Sequence, residues 1–129
     1  MEDVLDVYER PYDPEYPVVC VDELPYEMHG EARDPLPAKP GSDTKTDFEY
    51  VRCGTCSVFG AIEPLTGKCM VEARDRRTKA DLAEFLSEVS GSYPGARRII
   101  LVWDNLNTHK MGSLYEAFEP ARARELASR

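Results

Sequence analysis

The spacing of hydrophobic positions changes near the middle of the chain. Tyr16 to Glu23, YPVVCVDE, has a continuous apolar centre with Pro17 at its start, where a missing amide is tolerated, and predicts a buried central strand. From Leu24 to Thr46 the chain carries Pro25, Pro35, Pro37, Pro40 and Gly41 among Asp, Ser and Thr, which predicts a long, mobile, Pro-rich loop over 24–46. Residues 48–74 predict a hairpin of two strands separated by Glu63 to Lys68, with Pro64 and Gly67 as turn residues. The spacing then becomes helical: Leu82, Phe85, Leu86 and Val89 share a face, Thr78 is a candidate N-cap with Asp81 three residues on, and Gly91 and Pro94 stop the helix. Ile99 to Trp103 are apolar on both sides, which predicts a parallel strand covered on both faces rather than an edge. Ser113 is expected to cap a short helix over Leu114 to Phe118. A last helix begins near Pro120, with nothing for it to meet before Arg129.

Strand, loop, hairpin, helix, strand, helix describes an α/β chain: a mixed β-sheet with flanking helices, ordered as in ribonuclease H-like domains. The 129 residues suit one compact domain, expected to be incomplete at its C-terminal end. No apolar run approaches the ~20 residues that span a bilayer. The N-terminus MEDVLDVYER is acidic where a signal peptide would be basic and then apolar, so a cytoplasmic protein with reduced Cys20, Cys53, Cys56 and Cys69 is expected.

The net charge of −8 is unevenly spread. Residues 1–34 hold eleven acids against two arginines, a net −9, and the remainder holds thirteen acids against fourteen bases, a net +1. Acidity confined to the first quarter does not exclude a nucleic-acid partner, because clustered acids also bind divalent metal and invert the local field.

Two of the predicted strands end in an acid, VVCVD at Asp22 and IILVWD at Asp104. A buried strand that releases a carboxylate at its tip holds an oxygen donor rigidly, as Mg²⁺ or Mn²⁺ requires. Either acid alone equally fits a polar strand end or a helix cap. If the strands are neighbours, the carboxylates converge, and a pair of metals about 3.5–4 Å apart is the arrangement that hydrolyses phosphodiesters.

Taken in order, VVCVDE, YVRCGTCSVFGAIEPLTG, RRTKADLAEF and LVWDNLNTHKMGSLYEAF resemble the catalytic domain of bacterial insertion-sequence transposases, in the mariner-related group of the DDE superfamily. The most specific element is DNLNTH after an apolar strand, beside CVDE. The resemblance implies a ribonuclease H-like fold, Mg²⁺ or Mn²⁺ as cofactor in a two-metal site, and cleavage of DNA at transposon ends followed by joining to target DNA. It makes Asp22 the first catalytic and metal-binding acid and Asp104 the second, and it allows a homodimer. The family's third acid lies on a helix after a further strand; Glu116, Glu119 and Glu125 are the only acids after Asp104, and none has that context. The chain is therefore expected to be a truncated domain, inactive alone. The alternative is a non-catalytic transposase remnant or interaction module, and an independent nuclease would need one of the late glutamates.

Other residues carry weaker signals. Glu23 follows Asp22 and must face the other side of the strand. His109, with Asn105 and Asn107, is expected to hold its loop, and His29 has no visible context. Cys53 to Cys56, CGTC, has zinc-knuckle spacing but no second pair of ligands, so these are expected to be ordinary thiols. In RDRRTK, Arg76, Arg77 and Lys79, with Arg74, precede a helix N-terminus and form the candidate DNA-backbone contact.

Overall fold

A computed structural model describes residues 2–104 and 110–129. Helix α1 (Glu2–Tyr8) is followed by β1 (Val18–Glu31), β2 (Tyr50–Glu63), β3 (Lys68–Arg74), α2 (Lys79–Gly91), β4 (Ile100–Val102), α3 (Gly112–Ala117) and α4 (Pro120–Ser128). The strands form one sheet in the order β3-β2-β1-β4, antiparallel except for the β1–β4 pair, which is parallel. This is the mixed, helix-flanked α/β sheet expected from the order of elements.

The core lies on one face of that sheet. Val19 and Val21 of β1 and Phe59 and Ala61 of β2 alternate inward and meet Leu82, Phe85, Leu86 and Val89, the apolar stripe of α2. Phe59 and Phe85 are both fully buried, their ring centroids 5.6 Å apart in a tilted pair. The start of α2 is fixed by a reciprocal capping box: the Thr78 hydroxyl accepts from the Asp81 amide, and the Asp81 carboxylate accepts from the Thr78 amide at 2.7 Å. On the opposite face, α1 touches the sheet through Tyr8, whose hydroxyl lies 3.2 Å from the Cys20 sulfur.

Four features differ from the sequence-based expectation. The loop expected over 24–46 begins only at Ala32, because residues 24–31 continue β1 and pair with 50–58 of β2. Pro25 fits there because β1 pairs with β4 only as far as Cys20, leaving one edge of its outer half open. β4 is short and is an edge strand among the described residues; Ile99 to Trp103 are each half-buried, not covered on both sides. Ser113 lies inside α3, buried, and Met111 takes the N-cap position without a side-chain cap. Helix α4 does find a partner: Ala123 packs with Ala83 and Leu114, all three buried, and the Arg129 carbonyl accepts from the Ile99 amide beside β4.

β1 and β2 outrun their neighbours. β3 pairs with β2 only over Ser57 to Glu63, so beyond that point the two long strands form a twin-stranded ribbon with exposed Tyr26, Met28 and Val51. A bulge at Cys53 interrupts its register, next to Gly54 at φ 118°, a backbone region open to glycine.

At the other end of the sheet Glu63, 3% exposed, closes the β2–β3 turn. Its Oε2 accepts from Thr66 Oγ1 at 2.7 Å and from the Tyr93 hydroxyl at 3.4 Å. Burial, then the Glu63 carboxylate, pushes the Tyr93 phenol from 10.0 up to about 12. The folded state therefore holds this proton more tightly than the unfolded chain, and that contribution to stability is present below pH 10 and lost as pH rises through about 12. Urea midpoints measured across this window should fall in the wild type, and the fall should be shallower in Tyr93→Phe. Two further changes calibrate the core: Phe59→Ala is expected to cost about 3–5 kcal/mol in urea unfolding, and Thr78→Ala about 1 kcal/mol.

Candidate active site

The parallel pairing of β1 with β4 sets Val18 beside Ile100, Val19 beside Leu101 and Cys20 beside Val102. β4 ends at Val102; the same register continued for two residues would set Asp22 opposite Asp104. The faces agree as well. Val19 and Val21 are buried in the core, and Leu101 and Trp103 pack against that same core, so strand alternation turns Asp22, like Cys20 and Val102, to the opposite face. Both acids are exposed, but the strand expected to end at Asp22 runs on to Glu31, so Asp22 lies inside β1, two residues past its last pair with β4, and Asp104 follows the end of β4 by two residues. The Asp22 carboxylate is not left to rotate: its Oδ1 accepts from the Glu23 amide at 2.8 Å.

Two carboxylates brought together in that register would form a hard oxygen donor set. That chemistry fits Mg²⁺ or Mn²⁺, which are commonly held by one or two carboxylates with water and substrate phosphate completing the shell. Among the described residues no three His, Cys, Asp or Glu side chains group as a closed metal cage. Glu116 and Glu125 are instead engaged by Lys79 (2.6 Å) and Arg122 (2.8 Å) on the helical layer. Cys53 and Cys56 are free thiols within β2, and His29 stacks on Tyr50 and meets Glu27 at 3.2 Å on the ribbon. His109, Asn105 and Asn107 lie outside the described residues.

The basic cluster is largely neutralised by its surroundings. Arg74, only 12% exposed at its side chain, meets Glu84 at 2.6 Å, Glu72 at 3.0 Å and Glu88 at 3.2 Å. Burial works against its charge, but the bonds to Glu72 and Glu84 outweigh that and raise its pKa above the usual value. Burial also raises the Glu88 carboxyl, helped by a hydrogen bond to Glu72 and the negative charge there. Lys79 is held by Glu116, and Arg77 Nη1 lies 3.9 Å from Glu23 Oε1. Arg76 is exposed and has no ion pair among the described residues. The helix N-terminus expected to attract phosphate already carries the Asp81 carboxylate, whose pKa is lowered chiefly by its hydrogen bond from the Thr78 side chain.

The tie between Arg77 and Glu23 is the part that sequence reading misses. Alternation places Glu23 on the core face, but nothing in the sequence pairs it with a residue 54 positions later. Glu72, Glu84 and Glu88 around Arg74 are equally unannounced, although the spacing of 84 and 88 by four does put them on one side of α2.

Comparison with known proteins gives one match of family kind. No curated protein and no solved structure matches the chain. A family model described as DDE superfamily endonuclease matches residues 17–126, a span that takes in all four strands, α2, Asp22 and Asp104. With most of its length matched and its sheet ordered as that fold requires, the chain belongs to the DDE superfamily of endonucleases.

Proposed function

We propose that this chain is a transposase catalytic domain of the mariner-related, insertion-sequence kind, in which Asp22 and Asp104 hold the divalent ion used for DNA cleavage and strand transfer. The observation that supports this reading is the parallel pairing of β1 with β4 two residues before each acid, a register that would bring Asp22 and Asp104 together if continued. Mg²⁺ or Mn²⁺ bound there supplies positive charge to the phosphodiester and acidifies a water molecule. The protein's own part is placement. β1 is anchored by Val19 and Val21, so Asp22 cannot drift, and the Glu23 amide selects its carboxylate orientation. Glu116, Glu119 and Glu125 stand on or beside α3 and α4 and take no part. The chain thus contributes two of the three acids characteristic of such sites.

DNA backbone contact falls chiefly to Arg76, the exposed member of the basic cluster, with Lys79 contributing less because Glu116 competes for it. Duplex binding followed by fluorescence anisotropy across a NaCl series is expected to weaken in Arg76→Ala, with the salt slope reduced by about 1. Lys79→Ala should have a smaller effect, and equal effects would contradict this ranking.

The central test is calorimetric titration of Mn²⁺ into the folded chain. Wild type is expected to bind, and Asp22→Ala or Asp104→Ala to lose binding, with no nicking of plasmid DNA by the chain alone. A folded wild type that takes up no Mn²⁺ overturns the reading in favour of a non-catalytic module.

A further inference from the structure

From Ser57 to Ile62, β2 is paired on both sides, and Gly60 lies within that stretch, with Val71 as its neighbour in β3 and Asp22 as its neighbour in β1. Glycine is a poor residue for the centre of a sheet: it has no side chain to pack and loses more conformational freedom on folding than any other residue. Three ordinary reasons for keeping one there do not apply. Gly60 is not at positive φ, which among the described glycines belongs to Gly41, Gly54 and Gly67. The register runs unbroken past it, the shift between β1 and β2 coming only at Met28 and His29. Nor does crowding forbid a side chain. Among the described residues beyond its chain neighbours, the atom nearest to where a Cβ would stand is the Asp22 carbonyl oxygen, at 4.0 Å, an ordinary contact.

The missing side chain belongs to the face that carries Asp22. Phe59 and Ala61, on either side of Gly60, point into the core, so position 60 presents to the opposite face, as Asp22 does. Directly opposed residues on one face of an antiparallel pair have Cβ atoms about 4.5–5.5 Å apart and interact. Along β2 that face carries Val58 on the ribbon side and Ile62 on the turn side, both β-branched, and between them, opposite Asp22, there is no side chain.

We propose that Gly60 is a clearance residue for the metal site: by placing nothing beside the Asp22 carboxylate, it leaves room for the part of the ion's shell that the protein does not supply, its water molecules and a phosphate oxygen of the DNA. Mg²⁺ dehydrates reluctantly and keeps several waters when one or two carboxylates hold it, so such a site needs space as well as ligands. The inference rests on Asp22 being a metal-holding acid. It makes a residue with no ligating side chain a determinant of what that acid can hold.

Stability and affinity are expected to move in different directions. Gly60→Ala gains strand preference, so its urea midpoint should equal or exceed that of the wild type while Mn²⁺ binding weakens. Gly60→Val fills more of the same space and should weaken binding by about tenfold, the lower end of effects from residues around metal ligands. Val71→Ile adds bulk in the same row but on the far side of Gly60 from Asp22, and should bind as the wild type does. A glycine kept for the fold gives the reverse pattern, a lower midpoint with the affinity of the folded chain unchanged.

The experiment is Mn²⁺ calorimetry on the whole chain for wild type, Asp22→Ala, Gly60→Ala, Gly60→Val and Val71→Ile, with urea unfolding of each; Gly60→Ala decides the matter if Gly60→Val does not fold. Weaker binding in the Gly60 variants, with Gly60→Ala at least as stable as the wild type and Val71→Ile unchanged, supports the proposal. Unchanged or tighter binding in the folded Gly60 variants, a lowered midpoint in Gly60→Ala, or equal weakening by Val71→Ile overturns it, and loss of binding in Asp22→Ala then leaves the metal site standing. Unchanged binding in Asp22→Ala removes the metal-site reading itself.

Discussion

The docking of α2 onto β1 and β2 governs the rest of the molecule. Phe85 against Phe59, with Leu82 and Val89 over Val19 and Val21, decides which face of each strand is core. Because side chains alternate with a period of two, that single decision also fixes the other face. Leu101 joins the same core from β4 and Trp103 from just beyond it, so Val102 shares the side of Cys20 and Asp22. The active face is a by-product of the hydrophobic one, and a one-residue slip of either strand would bury an acid and expose a valine or leucine.

The elements that were legible in the sequence are those whose signals are local. The hairpin with Pro64 and Gly67 in its turn, and α2 with its Thr78 and Asp81 cap and apolar stripe, follow from residues within a few positions of one another. What was not legible depends on partners far along the chain. Prolines at 25, 35, 37 and 40 read locally as loop, yet Pro25 sits in a strand because its neighbour across the ribbon is Ser57 and its other edge is open. The final helix reads as unsupported because Ala123 carries little hydrophobic signal; its value lies in being small enough to approach Ala83 closely. For the acids, the apolar run before each was visible, but VVCVD is not a strand end, because β1 runs on to Glu31 as the partner of β2, and the parallel register of β1 with β4 was not legible at all.

Charge is organised around the same frame. A basic sequence cluster does not make a basic surface, because Arg74 is enclosed by three glutamates and Lys79 and Arg77 each face one. The charges of α2 and β3 are spent on joining helix to sheet edge.

The bulge at Cys53 has a separate implication. On the side nearer the acids, β1 and β2 pair from Cys20 with Ile62 to Met28 with Gly54; beyond it, His29 meets Arg52 and Glu31 meets Tyr50, one residue out of step. The ribbon is thus divided into two phases by one supernumerary residue. Insertions or deletions in the outer phase can change which side chains the ribbon tip displays without rotating Asp22 by a single position. The outer arm and the segment that carries Asp22 are one continuous strand, and the bulge is the joint that uncouples their registers.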